Sequence, residues 1–447
     1  MRHGRARTAR AAVAWWAFVV AGAAAAAGRL TAQGVEPPPV ALPTPAAGGT
    51  PTIYLMTFGQ GDAVWERYGH NAIRVVDPVA GTDLAYSWGE FDFDQPNFIG
   101  RFLTGDTKYA MRAIDAPLMA DVYVRQFNRS VLLQELALPP ARARALADSL
   151  RAFDTEARRY YRYDYYNDNC STRVRDALDM ATGGALRATL VGQPSGTTWR
   201  ADTRRLNAGD AAIYTGIQLA LGRPADRPLD HWQSGYLPLD LRESVRRVRI
   251  DGGTGAPAPL VRQEYEVWNA PGRPPEPVRV PSYVLGYALA GVAAAAALAG
   301  TGALARRGGG GGRAAFALVA GVWALASGVL GTALLLAGTV TKHAAYMGRN
   351  WNLLGVNPLS LVLFAVLLGA VVGRVGEARR RRARRAARVA GLVAVLAAVG
   401  SVATLLPGAG QRSAELFALL VPAHAALWWA LSRLAAPRRD GTWSAAP

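Results

Sequence analysis

Residues 283–305 read YVLGYALAGVAAAAALAGTGALA, a stretch without a single charged residue. An apolar helix of about 20 residues is long enough to cross the hydrocarbon core of a bilayer. Four more apolar runs follow in the C-terminal part of the chain, at Ala314–Gly338, about Val356–Gly373, Val389–Leu406 and Leu416–Ala436. The sequence therefore predicts an all-α transmembrane bundle of about five helices over residues 283–436.

The arginines between these runs predict how the bundle is oriented. They cluster at residues 306–313, 374–388 and 438–439, and the formal net charge of the chain is +18. Because cytoplasmic loops of membrane proteins are enriched in Lys and Arg, we expect these three segments to be cytoplasmic and the loops at 339–355 and 407–414 to lie outside. Charge distributed in this way indicates membrane topology and contact with anionic lipid, and argues against nucleic acid as a partner.

The N-terminal part of the chain predicts an exported domain. Arginines at positions 2, 5, 7 and 10 precede an apolar stretch at 11–27, which is the pattern of a secretory signal. We divide the chain into a signal peptide or signal anchor (1–34), a Pro- and Gly-rich linker (35–51), a periplasmic domain (52–250), a second linker (251–282) with a possible strand at Tyr265–Trp268, the bundle (283–436) and a cytoplasmic tail (437–447). The prediction is a multi-pass protein of a bacterial inner membrane. In the periplasmic domain, strand-like stretches at Thr52–Thr57, Ala72–Val76 and Leu84–Trp88 precede helical stretches at 116–128, at 139–159 and from Cys170 to about Met180.

The stretch Asp164-Tyr-Tyr-Asn-Asp-Asn-Cys170 contains the only cysteine of the chain. A single cysteine excludes an intrachain disulfide and a cysteine-based metal cluster, so no metal is predicted. Asn169 can cap a helix that begins at Cys170, and helix N-termini stabilise thiolates. The first backbone N–H groups of that helix, at Asn169 and Ser171, could also stabilise an oxyanion. Cys170 is therefore a candidate nucleophile, and the alternative is a buried apolar residue.

A cysteine nucleophile needs a base, normally a histidine. His70 stands at the start of a predicted strand, whereas His231 lies in a Pro-rich region and is predicted to be structural. A third residue could orient the imidazole of His70. The candidates are Ser87, Tyr86 and Asn71, and the sequence does not choose between them.

Four motifs together resemble the Lnb N-terminal periplasmic domain. They are Thr57-Phe-Gly-Gln-Gly-Asp62, Arg67-Tyr-Gly-His-Asn71, Tyr86-Ser-Trp-Gly-Glu-Phe-Asp-Phe93 and Tyr163-Asp-Tyr-Tyr-Asn-Asp-Asn-Cys170. The order, histidine on an early strand and cysteine at a later helix start, resembles the permuted NlpC/P60 branch of the papain-like superfamily. The resemblance implies a papain-like α+β fold, no cofactor, and lipoprotein N-acyltransferase activity with Cys170 and His70 as the catalytic residues. It implies a membrane phospholipid as acyl donor, and diacylated lipoproteins at the bilayer as acceptors.

The outer loop around residues 339–357 is unusually polar and aromatic, and resembles the membrane half of the same family. Candidate substrate contacts are Arg173 in the periplasmic domain and, in this loop, His343, Arg349, Asn350, Trp351 and Asn352. The alternative for the loop is an interfacial belt at headgroup level. For the whole chain, the alternatives are a membrane-anchored NlpC/P60-like cell-wall amidase or peptidase, and a non-enzymatic envelope scaffold.

Overall fold

The computed structural model describes residues 40–45, 48–91, 96–251, 255–371 and 377–436. The predicted signal segment at 1–34 and the predicted tail at 437–447 lie outside these residues. The described chain forms an α+β domain followed by five long apolar helices, which confirms the predicted fold class at that level.

A seven-stranded antiparallel sheet organises the α+β domain, in the order β6-β4-β3-β2-β1-β5-β9. Its strands are β1 (Thr52–Phe58), β2 (His70–Asp77), β3 (Thr82–Glu90), β4 (Lys108–Asp115), β5 (Val131–Leu136), β6 (Tyr160–Arg162) and β9 (Val261–Trp268), and β7 (Arg249–Asp251) pairs with β8 (Pro257–Pro259) beside it. Alternate residues of β1 enter two different apolar cores. Ile53 and Leu55 face one core, while Tyr54 and Met56 face the other, so the central strand is buried on both faces.

Nine helices of the described chain belong to the same α+β domain. They are α1 (Phe98–Thr104), α2 (Ala116–Asp121), α3 (Pro140–Phe153), α4 (Cys170–Ala181), α5 (Ala185–Leu190), α6 (Trp199–Leu206), α7 (Ala211–Ala220), α8 (His231–Ser234) and α9 (Pro238–Val245). Helix α4 buries Val174 and Leu178 in the same core as Ile53 and Leu55. This packing holds the first residue of α4 beside the ends of the central strands.

One part of the predicted second linker belongs to the sheet. Strand β9 pairs antiparallel with β5 at the edge of the sheet, so the linker expected at 251–282 has to be corrected there. Charged Arg262, Glu264 and Glu266 alternate with residues that pack on the cores, among them Val261 and Tyr265. Because this edge strand contains many charged residues, its apolar content is low, and its composition resembles that of a linker.

The bundle consists of α10 (Val284–Arg307), α11 (Gly310–Val340), α13 (Leu359–Val371), α14 (Glu377–Leu405) and α15 (Ala414–Ala435), with a short helix α12 (Ala344–Met347) after α11. A 3-10 turn at Trp351–Leu354 precedes α13, and residues 351–371 together are long and apolar enough to span a membrane, as are the other four helices. Small residues allow close helix contacts, for example where Gly331 faces Asn357.

The arginine-rich ends of the helices lie at the end of the bundle remote from the α+β domain. Arg306 Nη1 donates to Arg433 O over 3.0 Å, which joins the ends of α10 and α15. At the other end of α10, the ring of Tyr283 lies 4.7 Å from that of Tyr214 in the α+β domain. A helix of 24 residues spans roughly 36 Å, so the two ends lie on opposite sides of the bundle.

A buried polar seam joins the α+β domain to the bundle, and Glu415 at the start of α15 is its centre. Its Oε1 accepts from Tyr214 Oη at 2.6 Å, Gln218 Nε2 at 2.8 Å and Arg204 Nη2 at 2.9 Å. Its Oε2 accepts from the Tyr283 N–H at 3.1 Å. With four donors around one carboxylate, the two parts are docked against each other.

Candidate functional site

Cys170 is the first residue of helix α4, as predicted, and its position is fixed by Asn169. The Asn169 Oδ1 accepts from the Thr172 N–H at 2.9 Å, and the Asn169 N–H donates to Thr172 Oγ1 at 2.8 Å. The Asn169 Nδ2 donates to the carbonyl oxygens of Tyr165 and Tyr236, each at 3.0 Å. Asn169 and Thr172 therefore form a capping box, and the Asn169 side chain also connects the helix start to the segments that contain Tyr165 and Tyr236.

The Cys170 thiol lies among backbone donors. The N–H groups of Asn71, Ser171 and Cys170 itself bond to it and lower its pKa, but burial outweighs them and raises the pKa above its usual value. The thiolate stabilisation expected from the helix start is thus present, and desolvation is the larger effect. The side chain of Ser171 is used elsewhere, because its Oγ donates to Gly235 O at 2.7 Å. The resting thiol is protonated at neutral pH and needs a base.

His70, the base predicted for this cysteine, lies beside it. It begins strand β2, and a Cβ built on Gly89 would lie 3.6 Å from Cys170 Cβ and 3.9 Å from His70 Cε1. Both side chains therefore border the small space over Gly89, whose φ of +108° favours glycine. Burial, assisted by the nearby charge of Arg129, lowers the pKa of His70 to about 3. The imidazole is neutral at physiological pH and can accept a proton.

Among the three candidates for orienting His70, Ser87 contacts it. The Ser87 Oγ lies 2.9 Å from His70 Nε2. Tyr86 points to the opposite face of β3, into the apolar core that contains Ile53. Asn71 donates through Nδ2 to Ser171 Oγ at 3.0 Å, and so connects β2 to α4 instead.

Arg129 is part of this site, and no sequence motif marked it. Its side chain is 3% exposed, its Nε donates to Gly59 O at 2.7 Å, and its guanidinium carbon lies 4.7 Å from the centre of the Tyr123 ring. The Tyr123 ring in turn stacks 6.0 Å from His70. Arg129 Nη2 is buried without a hydrogen-bond partner among the described residues. Its positive charge opposes the rise in the pKa of the thiol that burial causes, and it adds to the fall in the pKa of the imidazole that burial causes. The site therefore contains a buried cation with one unpartnered nitrogen.

Aromatic side chains lead from the thiol toward the outer loop of the bundle. The rings of Tyr109 and Tyr163 stack at 4.2 Å, and those of Tyr163 and Tyr165 meet edge to face at 5.9 Å. The Tyr165 ring lies 6.1 Å from the ring of His343 in the outer loop. Burial raises the pKa of Tyr163 well above its usual value, and a charge on Cys170 would raise it further. These tyrosines are neutral and form an apolar wall, which we call the tyrosine wall (Tyr109, Tyr163 and Tyr165).

The other predicted substrate contacts are spread along the junction with the bundle. Arg173 pairs with Asp168, with Nη2 to Oδ2 at 2.6 Å, and its guanidinium carbon lies 4.6 Å from the Tyr161 ring centre. His343 Nε2 lies 3.0 Å from Phe102 O. Arg349 is exposed, with a φ of +50°, and lines a surface cavity together with Arg223 and Arg227.

Asn350 and Asn352 belong to the polar seam. The Asn350 Nδ2 donates to Leu219 O at 3.0 Å, and the Asn352 Nδ2 donates to Gln218 O at 3.0 Å. Both side chains are buried, and the neighbouring Trp351 N–H donates to Gln411 Oε1 at 2.9 Å. The structure thus gives the two amides a role in docking, and their contact with substrate stays an untested prediction.

Comparison with known proteins supports the resemblance seen in the motifs. Residues 47–207 match the family model described as the Lnb N-terminal periplasmic domain. The match covers His70, Ser87, Arg129 and Cys170. No curated protein and no solved structure matches the chain. Together with the five long apolar helices, the match indicates a multi-pass membrane protein with a periplasmic domain.

Proposed function

We propose, from the Lnb N-terminal periplasmic domain at residues 47–207, that the chain is a lipoprotein N-acyltransferase of the bacterial inner membrane. The observation that carries the proposal is that Cys170, at the start of a helix, lies beside a neutral His70 whose imidazole contacts Ser87. This pair lies in a domain docked on a membrane bundle, where both substrates of such a reaction are anchored. A papain-like fold of the permuted NlpC/P60 type is part of the proposal. It is supported by the chain order of His70 on β2 and Cys170 at the start of α4.

The first half-reaction would transfer an acyl chain from a phospholipid to the enzyme. His70 Nε2 is engaged by Ser87, which leaves Nδ1 to take the proton of the Cys170 thiol. The sulfur then attacks the ester carbonyl carbon, and the tetrahedral intermediate carries a negative charge on its oxygen. Collapse of the intermediate breaks the ester C–O bond, and the leaving lysophospholipid alkoxide takes the proton from His70. The product on the enzyme is a thioester.

The second half-reaction would transfer the acyl chain to the acceptor. The free α-amine of a diacylated lipoprotein attacks the thioester carbon, and His70 removes a proton from the attacking nitrogen. When the C–S bond breaks, that proton returns to the sulfur, so the thiol and neutral imidazole are restored. Division of one difficult acyl transfer into two easier steps is the advantage of a covalent intermediate.

The negative charge of each tetrahedral intermediate needs donors close to Cys170. The N–H groups of Cys170, Ser171 and Asn71 already bond to the thiol, so they surround the reacting centre. The unpartnered Nη2 of Arg129 adds a positive charge whose field reaches the sulfur. Donors fixed in position before the reaction contribute the most to stabilising a developing charge.

The outer loop would contact the lipid headgroup. Arg349 shares its surface cavity with Arg223 and Arg227, and the three guanidinium groups could bond to a phosphate oxygen. His343 of the same loop lies against Tyr165, at the end of the tyrosine wall. Arg173, already paired with Asp168, would act mainly by holding the segment that precedes Cys170.

Mass spectrometry of lipoprotein N-terminal peptides tests the proposal. The full-length chain is produced in a strain without lipoprotein N-acyltransferase activity, as the wild type, as Cys170→Ala and as the control Met180→Ala, an exposed position on the same helix. We expect N-acylated peptides with the wild type and the control and none with Cys170→Ala at equal protein level. A hydroxylamine-sensitive acyl group should also be found on Cys170. N-acylation by Cys170→Ala, or release of muropeptides by the wild type in place of acylation, would overturn the proposal.

A further inference from the structure

Helix α1 carries an exposed apolar surface. The exposed fractions are 56% for Ile99, 44% for Phe102 and 53% for Leu103, in a helix of only seven residues. Three large apolar side chains that share one short helix are costly in water, at about 25 cal/mol for each Å² of apolar surface. A contiguous patch of this kind marks a contact with another apolar body.

The position of α1 indicates what covers this apolar surface. The helix is bonded to the outer end of α11, because the Lys342 N–H donates to Thr104 O at 3.0 Å and His343 Nε2 meets Phe102 O at 3.0 Å. Gly105 permits the close approach, since a Cβ there would lie 3.0 Å from Lys342 Cβ. The last residue of α11, Val340, is itself 73% exposed.

These contacts make the exposed apolar surface of α1 continuous with that of the bundle. The apolar outer surface of α11 extends through Leu336, which is 51% exposed, to Val340 and then across to α1. Lys342 follows Val340 by two residues, and two residues of chain span at most about 7 Å, so α1 lies near the level where a membrane-spanning α11 would leave the hydrocarbon core. Lys342 pairs with Asp106 at 2.6 Å beside α1, a polar border suited to the headgroup region.

The same segment leads to the catalytic site. Directly after α1 the chain enters β4, and the Tyr163 N–H donates to Thr107 O at 3.1 Å. Tyr109, the second residue of β4, is part of the tyrosine wall. Helix α1 therefore stands between the bilayer surface and the aromatic residues that border Cys170.

We propose that α1 inserts Ile99, Phe102 and Leu103 into the outer leaflet and guides a phospholipid acyl chain from there along the tyrosine wall to Cys170. The occupant of this surface is the phospholipid leaflet itself. Insertion of α1 stands on the geometry alone, whereas guidance of the acyl chain rests on the proposed acyltransferase function.

Depth-dependent fluorescence quenching tests the insertion without catalysis. Because Cys170 is the only cysteine, Cys170→Ala combined with Ile99→Cys gives the full-length chain a single labelling site. An environment-sensitive dye at this site is compared with one at Leu118→Cys, an equally exposed position (57%) just beyond the other end of β4. In nanodiscs containing phospholipid with a nitroxide near the top of the acyl chain, we expect at least threefold stronger quenching at position 99 than at position 118. Equal quenching at the two positions would refute insertion.

A donor comparison tests the guidance. Ile99→Ser with Leu103→Ser is compared with the control Leu118→Ser, using a bilayer phospholipid and a water-soluble short-chain thioester as donors. We expect acylation of Cys170 from the bilayer donor to fall about tenfold in the double variant and that from the soluble donor to stay unchanged. Equal loss with both donors, or loss with neither, would refute guidance. If the wild type itself is acylated by neither donor, the proposed function fails, and the quenching result still decides the insertion.

Discussion

The candidate site around Cys170 and the polar seam are both buried and polar, but they differ in how fully their polar groups are hydrogen-bonded. In the seam, Glu415 accepts four hydrogen bonds and Asn352 bonds through both its amide nitrogen and its oxygen. In the site, Arg129 Nη2 and Asn71 Oδ1 are buried without hydrogen-bond partners among the described residues. The seam is complete by itself, whereas the site retains unused hydrogen-bonding capacity.

This difference separates groups that stabilise the protein from groups reserved for a ligand. A buried polar group without a partner costs about 1–3 kcal/mol, so the unpartnered groups beside Cys170 are the ones expected to gain from a bound ligand. Substitutions in the site should therefore reduce activity with little loss of stability. Substitutions in the seam should do the reverse.

The largest effect on activity is expected for His70→Ala. In the proposed mechanism the neutral imidazole is the base for a thiol whose pKa is raised by burial, so its loss would leave the thiol protonated at neutral pH. A general base contributes about 100- to 10,000-fold, and we expect a loss in that range. The rate of Cys170 acylation by a phospholipid donor measures it, with the melting temperature as control. Full activity in His70→Ala would assign the base to another residue.

The largest effect on stability is expected for Glu415→Ala. The carboxylate pairs with Arg204 at 2.9 Å, and their side chains are only 8% and 15% exposed. Removal of one partner of a buried pair costs about 3 kcal/mol or more, because the other charge remains buried. Thermal unfolding of the full-length chain in detergent should show a clearly lower melting temperature.

A control variant shows whether the stability loss is specific to the Glu415–Arg204 pair or follows from any substitution at the junction of the two parts. Lys342→Ala removes the exposed pair with Asp106, and we expect little or no change in the melting temperature. If Lys342→Ala destabilises the protein as much as Glu415→Ala does, the polar seam is not what holds the two parts together.

An intermediate effect is expected for Arg129→Met, which tests the comparison most directly. Methionine keeps much of the volume and removes a buried charge with an unpartnered nitrogen, but it also removes the hydrogen bond to Gly59 O. Because these two effects oppose each other, stability should change by no more than about 1 kcal/mol. Acylation of Cys170 should fall about tenfold or more, because a charge near the developing oxyanion is lost. A large drop in melting temperature would instead make Arg129 a structural residue.

Local patterns made part of this site predictable from the sequence. The helix cap at Asn169, the start of β2 at His70 and the apolar runs of the bundle each depend on neighbouring residues, and all three are as expected. Arg129 has no such signal. It reaches the site because β5 pairs with β1, with Val131 opposite Phe58, and that pairing joins segments far apart in the chain.

The outer loop shows a second limit of prediction. Asn350 and Asn352 have the same composition whether they face water, a lipid headgroup or another domain. Their burial against the carbonyl groups of Gln218 and Leu219 depends on how the periplasmic domain docks on the bundle. The proposed membrane contact of helix α1 could not be predicted from the sequence for the same reason. Its exposed apolar side chains indicate such a contact only because the fold places them beside Lys342 at the end of α11.

The smallest expected effect is a pH dependence of stability that belongs to His70. Burial lowers its pKa in the folded protein to about 3, whereas the unfolded chain has the ordinary value of 6.5. Between these values the unfolded state binds more protons, so the contribution of His70 to stability is complete above pH 6.5 and is lost as the pH falls toward 3. Because the ring is only partly shielded from solvent, we expect the loss between pH 7 and pH 5 to be on the order of 1 kcal/mol. The measurement is denaturant unfolding of the wild type and of His70→Gln at both pH values. The wild type should lose more stability on acidification than the variant does, and equal losses would mean that His70 is no more buried than an ordinary surface histidine.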